Sequence, residues 1–143
     1  MKRLISHRGN LSGVDVKTEN NPKQIIKVLD LELECEVDVW LKGDQYYLGH
    51  DSPQYPIFEE FLENSSLWCH AKNIQSLLKI KENKYIHYFW HEKDTMALTS
   101  KGFIWAFPRE IAIPNSIVVL PEKYNTNVEN AVGICSDFID KFR

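Results

Sequence analysis

Three short hydrophobic runs in the first 51 residues carry polar side chains of a restricted kind. The first is Ile5-Ser6-His7-Arg8-Gly9, the second Cys35-Glu36-Val37-Asp38-Val39, and the third Leu48-Gly49-His50-Asp51. Residues i and i+2 of a strand share a face, so Glu36 and Asp38 project together from a run that is otherwise apolar. Two inward carboxylates repel one another and lose hydration, and a cation between them is the usual remedy. With His7 and His50 flanking the pair and Arg8 beside the first histidine, the set contains proton carriers, a hard-metal site and an anion-binding guanidinium. These are the parts needed for hydrolytic phosphoryl transfer. A solvated, half-exposed strand is the alternative for Glu36 and Asp38, and Glu32 and Glu34 on the same face favour it at the strand's start. A fully covered parallel strand would instead make charges near its end costly unless they are used.

Strands are expected over Arg3–His7, Glu32–Leu41 and Tyr46–His50, the last two joined by a turn at Lys42-Gly43-Asp44-Gln45. That excursion returns His50 toward Glu36. Asn21-Pro22 opens a helix over Lys23–Leu31, since proline's missing N–H costs nothing at the first helical position. Ser52–Pro56 reads as loop, Ile57–Glu63 as a short helix, Leu67–Lys72 as a strand with His70 and Lys72 on one face, and Asn73–Lys81 as an amphipathic helix. Beyond it, Lys84–His91, Phe103–Phe107, Ile117–Leu120 and Gly133–Phe138 read as strands, and Val128–Val132 as a helical turn. Helices thin out after residue 82, and His91–Asp94 reads as a solvated loop. His87, Trp90, His91 and Trp105 serve either a ligand pocket or ordinary packing.

Taken in order, His7-Arg8-Gly9, Glu19-Asn20, Glu36-Val37-Asp38 and His50-Asp51 resemble the motif set of the glycerophosphodiester phosphodiesterase family, within the phosphatidylinositol-phospholipase-C-like barrels. No single block is specific; the ordered set is. His70-Ala71-Lys72 stands where that family carries a glutamate-x-lysine strand, Trp105 resembles the tryptophan of a late strand, and Ile134-Cys135-Ser136-Asp137 resembles the closing strand, with Asp137 on the far side of the site. The resemblance implies a (β/α) barrel whose catalytic group is His7, His50, Arg8 and Lys72. It also implies a metal held by Glu36, Asp38 and the residue at position 70, and a substrate pocket that includes Trp105 and Asn20. Histidine at position 70 replaces a charged oxygen ligand. The two carboxylates make magnesium or calcium the expected cofactor, while the imidazole opens the site to manganese or zinc. The implied substrate is a small glycerophosphodiester-like molecule or phosphorylated headgroup. An adjacent hydroxyl on the alcohol would permit a cyclic phosphate. A relative that binds a phosphorylated ligand without hydrolysis is the alternative.

Length limits the fold. A full (β/α)₈ barrel takes about 250 residues, and this chain of 143 implies a reduced or incomplete one forming a single domain. Only 18 residues separate Asp51 from His70, so the insertion that the family often carries there has no room. Uncovered strands imply a homo-oligomer, a dimer in the simplest case. A net charge of −3 and scattered lysines and arginines give no footprint for nucleic acid. No apolar run approaches the roughly 20 residues that span a bilayer, so no membrane insertion is expected. The start of the chain lacks a signal-peptide pattern. Cys35, Cys69 and Cys135 in apolar runs suggest buried free thiols in a reducing compartment, and the expected location is cytoplasmic.

Overall fold

The alternation along the Glu36 strand sorts side chains into two cores. Cys35, Val37 and Val39 pack with Ile25, Val28, Ile80 and Cys69 on one side of the sheet. On the other side Ile5, Trp68, Phe89, Trp105, Ile117, Val119 and Cys135 form a second cluster. The computed structural model describes residues 1–109 and 111–143. In chain order its elements are β1 (Arg3–His7), α1 (Pro22–Asp30), β2 (Glu34–Lys42), β3 (Gln45–Leu48), β4 (Tyr55–Ile57), α2 (Glu59–Leu62) and β5 (Leu67–Ala71). They continue with α3 (Ile74–Ile80), β6 (Tyr88–Trp90), β7 (Met96–Leu98), β8 (Ile104–Ala106), β9 (Ile117–Val119) and β10 (Gly133–Ser136).

Parallel pairing links seven of these strands in the order β6-β5-β2-β1-β10-β9-β8. The sheet curls strongly. Trp105 on β8 lies with its ring 4.7 Å from Phe89 on β6 and 5.6 Å from Trp68 on β5, although these strands stand at opposite ends of the order. The two ends also meet through the β7 hairpin: the Ser100 N–H donates to the Tyr88 carbonyl at 2.8 Å, and the Tyr88 N–H donates to the Ser100 hydroxyl at 2.9 Å. The concave side is tight enough to need a glycine at its floor. A Cβ at Gly133 would lie 2.7 Å from Ile117 Cδ1 and 2.9 Å from Arg3 Cβ.

The class is therefore mixed α/β, with one curled sheet and few helices. Helix α1 begins where expected, because Asn21 accepts the Lys23 N–H and Pro22 takes the first helical position. The β2–β3 hairpin closes through Gly43-Asp44, with Gly43 at φ 61° and Lys42 opposite Gln45. Several details depart from the sequence reading: the strand expected over Lys84–His91 is confined to Tyr88–Trp90, and Glu32 lies in a left-handed turn at φ 61° before β2. The Ser52–Pro56 loop contains the start of β4, where Pro56 sits in a strand at the end of the sheet order and its missing donor breaks no ladder. Met96–Leu98, which shows no apolar alternation, forms β7 by pairing with β8 around Gly102 at φ 82°. Val128–Val132 is one turn closed by the Ala131 N–H on the Val128 carbonyl, with no helix. Among the described residues no α-helix follows Ile80, and Met96 and Leu98 on β7 are 46% and 71% exposed.

Candidate functional site

All seven parallel strands open toward one cavity of about 1030 Å³. His7, His70, Phe107, Leu120 and Asp137 lie at or just past the C-terminal ends of their strands and line it. A short crossover fixes the two residues that follow β1. Arg8 takes the left-handed region at φ 56° and Gly9 follows at φ 92°. The Arg8 N–H donates to the Glu36 carbonyl at 3.0 Å, and the Arg8 carbonyl accepts the Asn20 N–H at 2.9 Å. Left-handed backbone at a non-glycine residue is costly and is commonly kept at working sites. Here it turns the guanidinium back over β2.

Asp38 is the hub. It is fully buried, and its Oδ2 accepts a hydrogen bond from the Asn20 amide at 2.9 Å, while the Asn20 Oδ1 accepts the Asp38 N–H at 2.8 Å. Arg8 Nε stands 3.1 Å from Oδ2 and His50 Nδ1 3.4 Å from it. On the other oxygen, His70 Nδ1 lies at 3.3 Å and Lys72 Nζ at 3.9 Å. Burial pushes the Asp38 carboxyl up, but the close approach of His50 and His70 and the charge of Arg8 outweigh it and hold the group well below the usual carboxylate range. Arg8 itself is held above its ordinary value: burial works against its charge, and Asp38, Glu36, Glu19 and Asp137 more than offset that.

His7 and His70 each have one ring nitrogen fixed. The His7 Nδ1–H donates to Asp137 at 2.7 Å, an oxygen that also accepts the Asn10 amide at 2.8 Å, so Nε2 is left facing Glu36 at 3.9 Å. Burial raises the Asp137 carboxyl, and its bonds with His7 and Asn10 bring it below the ordinary range. The His70 Nε2–H donates to the His91 carbonyl at 3.2 Å, and its ring stacks on Phe89 at 4.9 Å. That leaves Nδ1 aimed at Asp38 and, at 3.7 Å, at Glu36. Burial lowers the His70 value, but the two carboxylates raise it to about 9.

Glu36, Asp38 and His70 present ligand atoms all within 4.8 Å of one another. Glu36 Oε2 and Asp38 Oδ1 are buried without hydrogen-bond partners, as are Arg8 Nε and His50 Nδ1 beside them. Two orphaned carboxylate oxygens next to an imidazole with its far nitrogen already tied are a donor set suited to a divalent cation.

The structure thus brings together His7, Arg8, Glu36, Asp38, His50, His70 and Lys72. Trp105 is 2% exposed and serves both expectations, packing against Phe89 and Trp68 while lining the cavity. Asn20, expected in the substrate pocket, is fully buried outside the cavity wall and spends its amide on Asp38. His50 keeps only a loose contact with the exposed Asp51 at 3.5 Å. His91 borders the cavity with its ring on Phe107, while His87 and Trp90 do not. His87 instead bonds Thr99 at 2.8 Å and stays neutral, pushed down to about 4 by burial and by Lys101 and Arg3. Sequence reading missed Asn10, and it placed Asp137 only on the far side of the site. A Ser-Asp pair at the end of the last strand was the one local sign of the His7 partner. Cys35, Cys69 and Cys135 are buried and free, and no described helix is long and apolar enough to cross a membrane. Comparison of the chain with family models, with characterised proteins and with solved structures gives no match.

Proposed function

We propose that the protein is a metal-dependent phosphodiesterase built on a reduced (β/α) barrel, similar to the glycerophosphodiester phosphodiesterases. The observation that carries this reading is the joint placement of His7, His50, Arg8 and Lys72 around the buried carboxylate pair of Glu36 and Asp38, one oxygen of each left without a hydrogen bond. The barrel assignment draws on the seven parallel strands, the curl and the line of polar groups at C-terminal strand ends, where such folds keep their chemistry. Buried free thiols suit the reducing cytoplasm.

Glu36, Asp38 and His70 would hold the cation, magnesium, calcium or manganese by the oxygen-rich set, with zinc open to the imidazole. When bound, it supplies Lewis acidity that offsets negative charge on the phosphate oxygens. Arg8 and Lys72 bind the phosphate and keep it oriented. His7, tied through Nδ1 to Asp137, takes a proton at Nε2 from the attacking water or hydroxyl as its oxygen bonds phosphorus. A protonated His50 returns a proton to the alcohol oxygen as the opposite P–O bond breaks, so protons and charge balance across the step.

One observation favours a second reading, binding of a phosphorylated ligand without hydrolysis. Arg8, His50, His70 and Lys72 already gather around Asp38, so the chain partly neutralises its own carboxylates. Release of p-nitrophenol from bis(p-nitrophenyl) phosphate separates the two. The enzyme reading expects turnover that is lost in chelator, regained with magnesium or manganese, and lost again in a folded Asp38→Asn variant. Glycerol phosphate binding with no turnover in any metal would assign the site to the second reading.

A further inference from the structure

His70 is the only imidazole in the candidate ligand set. A histidine ligates well when its ring is held at a fixed tilt and its second nitrogen is tied, because that second bond decides which nitrogen is left for the metal. Position 70 meets both conditions through the strand that follows it. β5 and β6 pair in parallel, with His70 opposite Phe89 and Ala71 opposite Trp90, so residue 91 emerges beside the end of β5. The His70 ring lies on Phe89 at 4.9 Å, and its Nε2–H donates to the His91 carbonyl at 3.2 Å. Nδ1 is then the nitrogen that faces Asp38 at 3.3 Å and Glu36 at 3.7 Å.

The accepting carbonyl belongs to a loop, not to a ladder. Residues 91–95 join β6 to β7 and line the cavity. Two contacts of the His91 side chain hold the start of this loop. Its ring stacks on Phe107, just past β8, with centroids 3.3 Å apart and planes 13° from parallel. Its Nε2–H donates to the Asp94 carbonyl, which closes the loop on itself. The Phe107 N–H donates to the Thr95 carbonyl at 3.0 Å, so Phe107 secures the loop at both ends. Resting on the assignment of Glu36, Asp38 and His70 to a metal, we infer that His91 is a positioning residue for that site: its side chain fixes the carbonyl that sets the tautomer and tilt of His70. A carboxylate at position 70 would have no N–H to give this carbonyl. The device therefore belongs to the histidine that this chain carries.

The test is manganese affinity by calorimetry at constant pH for the parent, His91→Ala and His91→Phe, each repeated together with His70→Glu. His91→Ala removes both tethers and should weaken manganese binding by about 10- to 100-fold, the range for losing the outer hydrogen-bond partner of a ligating histidine. His91→Phe keeps a ring on Phe107 without the bond to Asp94, and should recover part of that loss. It also reads the inference if the alanine variant fails to fold. In the His70→Glu background neither substitution at position 91 should change the affinity. An equal loss with and without His70 would mean general loosening of the cavity wall, and overturns the inference. Parent affinity retained in both His91 variants overturns it too, with the metal assignment left standing. A parent protein that binds no manganese overturns both together.

Discussion

His70 should make the metal-free protein lose stability as the solution becomes alkaline, and Gln in its place should remove that dependence. Its ring is 13% exposed, lies 3.3 Å from Asp38 and 3.7 Å from Glu36, and holds its proton up to about pH 9 against an ordinary 6.5. The difference corresponds to about 3 kcal/mol favouring the folded, charged form. Because the folded value is raised, that contribution is complete below about pH 6.5, falls through the interval to about 9 and is gone above it. His70→Gln keeps a polar group of similar bulk without the charge. Urea unfolding in chelator, followed by the fluorescence of buried Trp68 and Trp105, should place the variant about 3 kcal/mol below the parent at pH 6. By pH 10 the gap should shrink to about 1 kcal/mol or less. A cation at this site must displace the same proton, so the apparent manganese affinity of the parent should increase about tenfold with each unit of rising pH, up to about pH 9. A stability gap that stays constant from pH 6 to pH 10, or widens, would refute the electrostatic account and reduce His70 to a packing residue.

Further outcomes are expected. His7→Ala and His50→Ala should each lower kcat by about 10²–10⁴ with glycerol phosphate affinity nearly unchanged; Asp137→Asn, which touches His7 at 2.7 Å, should lower kcat with little effect on KM, and a rise in KM alone would contradict its positioning role. Asn20→Ala removes both bonds to Asp38, and leaving that buried N–H and carboxylate short of partners should cost about 3 kcal/mol by thermal unfolding. Since the folded Asp38 value is depressed, the stability it supplies is present above the unfolded carboxylate range and lost as pH falls, so Asn20→Ala should also unfold at higher pH in an acid titration followed by circular dichroism. Met96 and Leu98, exposed on β7, should form the contact of a homodimer, seen as twice the chain mass by sedimentation at micromolar concentration and converted to monomer by Leu98→Lys; a monomeric parent protein would count against it.

Much of the site's chemistry was written locally. The i, i+2 spacing of Glu36 and Asp38 within an apolar run dictates a shared face whatever the fold. Gly43 and the polar turn around it dictate the hairpin that returns His50, and Asn21-Pro22 dictates where α1 begins. Each of these depends on a few neighbouring residues, which is why sequence reading reached them. Other features depend on register between distant strands. His7 meets Asp137 across 130 residues only because β1 and β10 pair in parallel with Ser6 opposite Ser136. Asn20 became a clamp on Asp38 because the chain after β1 turns left-handed at both Arg8 and Asn20, a consequence of tertiary packing that no periodicity announces. The alkaline-shifted proton on His70 follows from the parallel pairing of β2 with β5, which sets His70 opposite Asp38. Local pattern determines which face a side chain takes, while the environment that face meets is set by strands that neighbour it only in space.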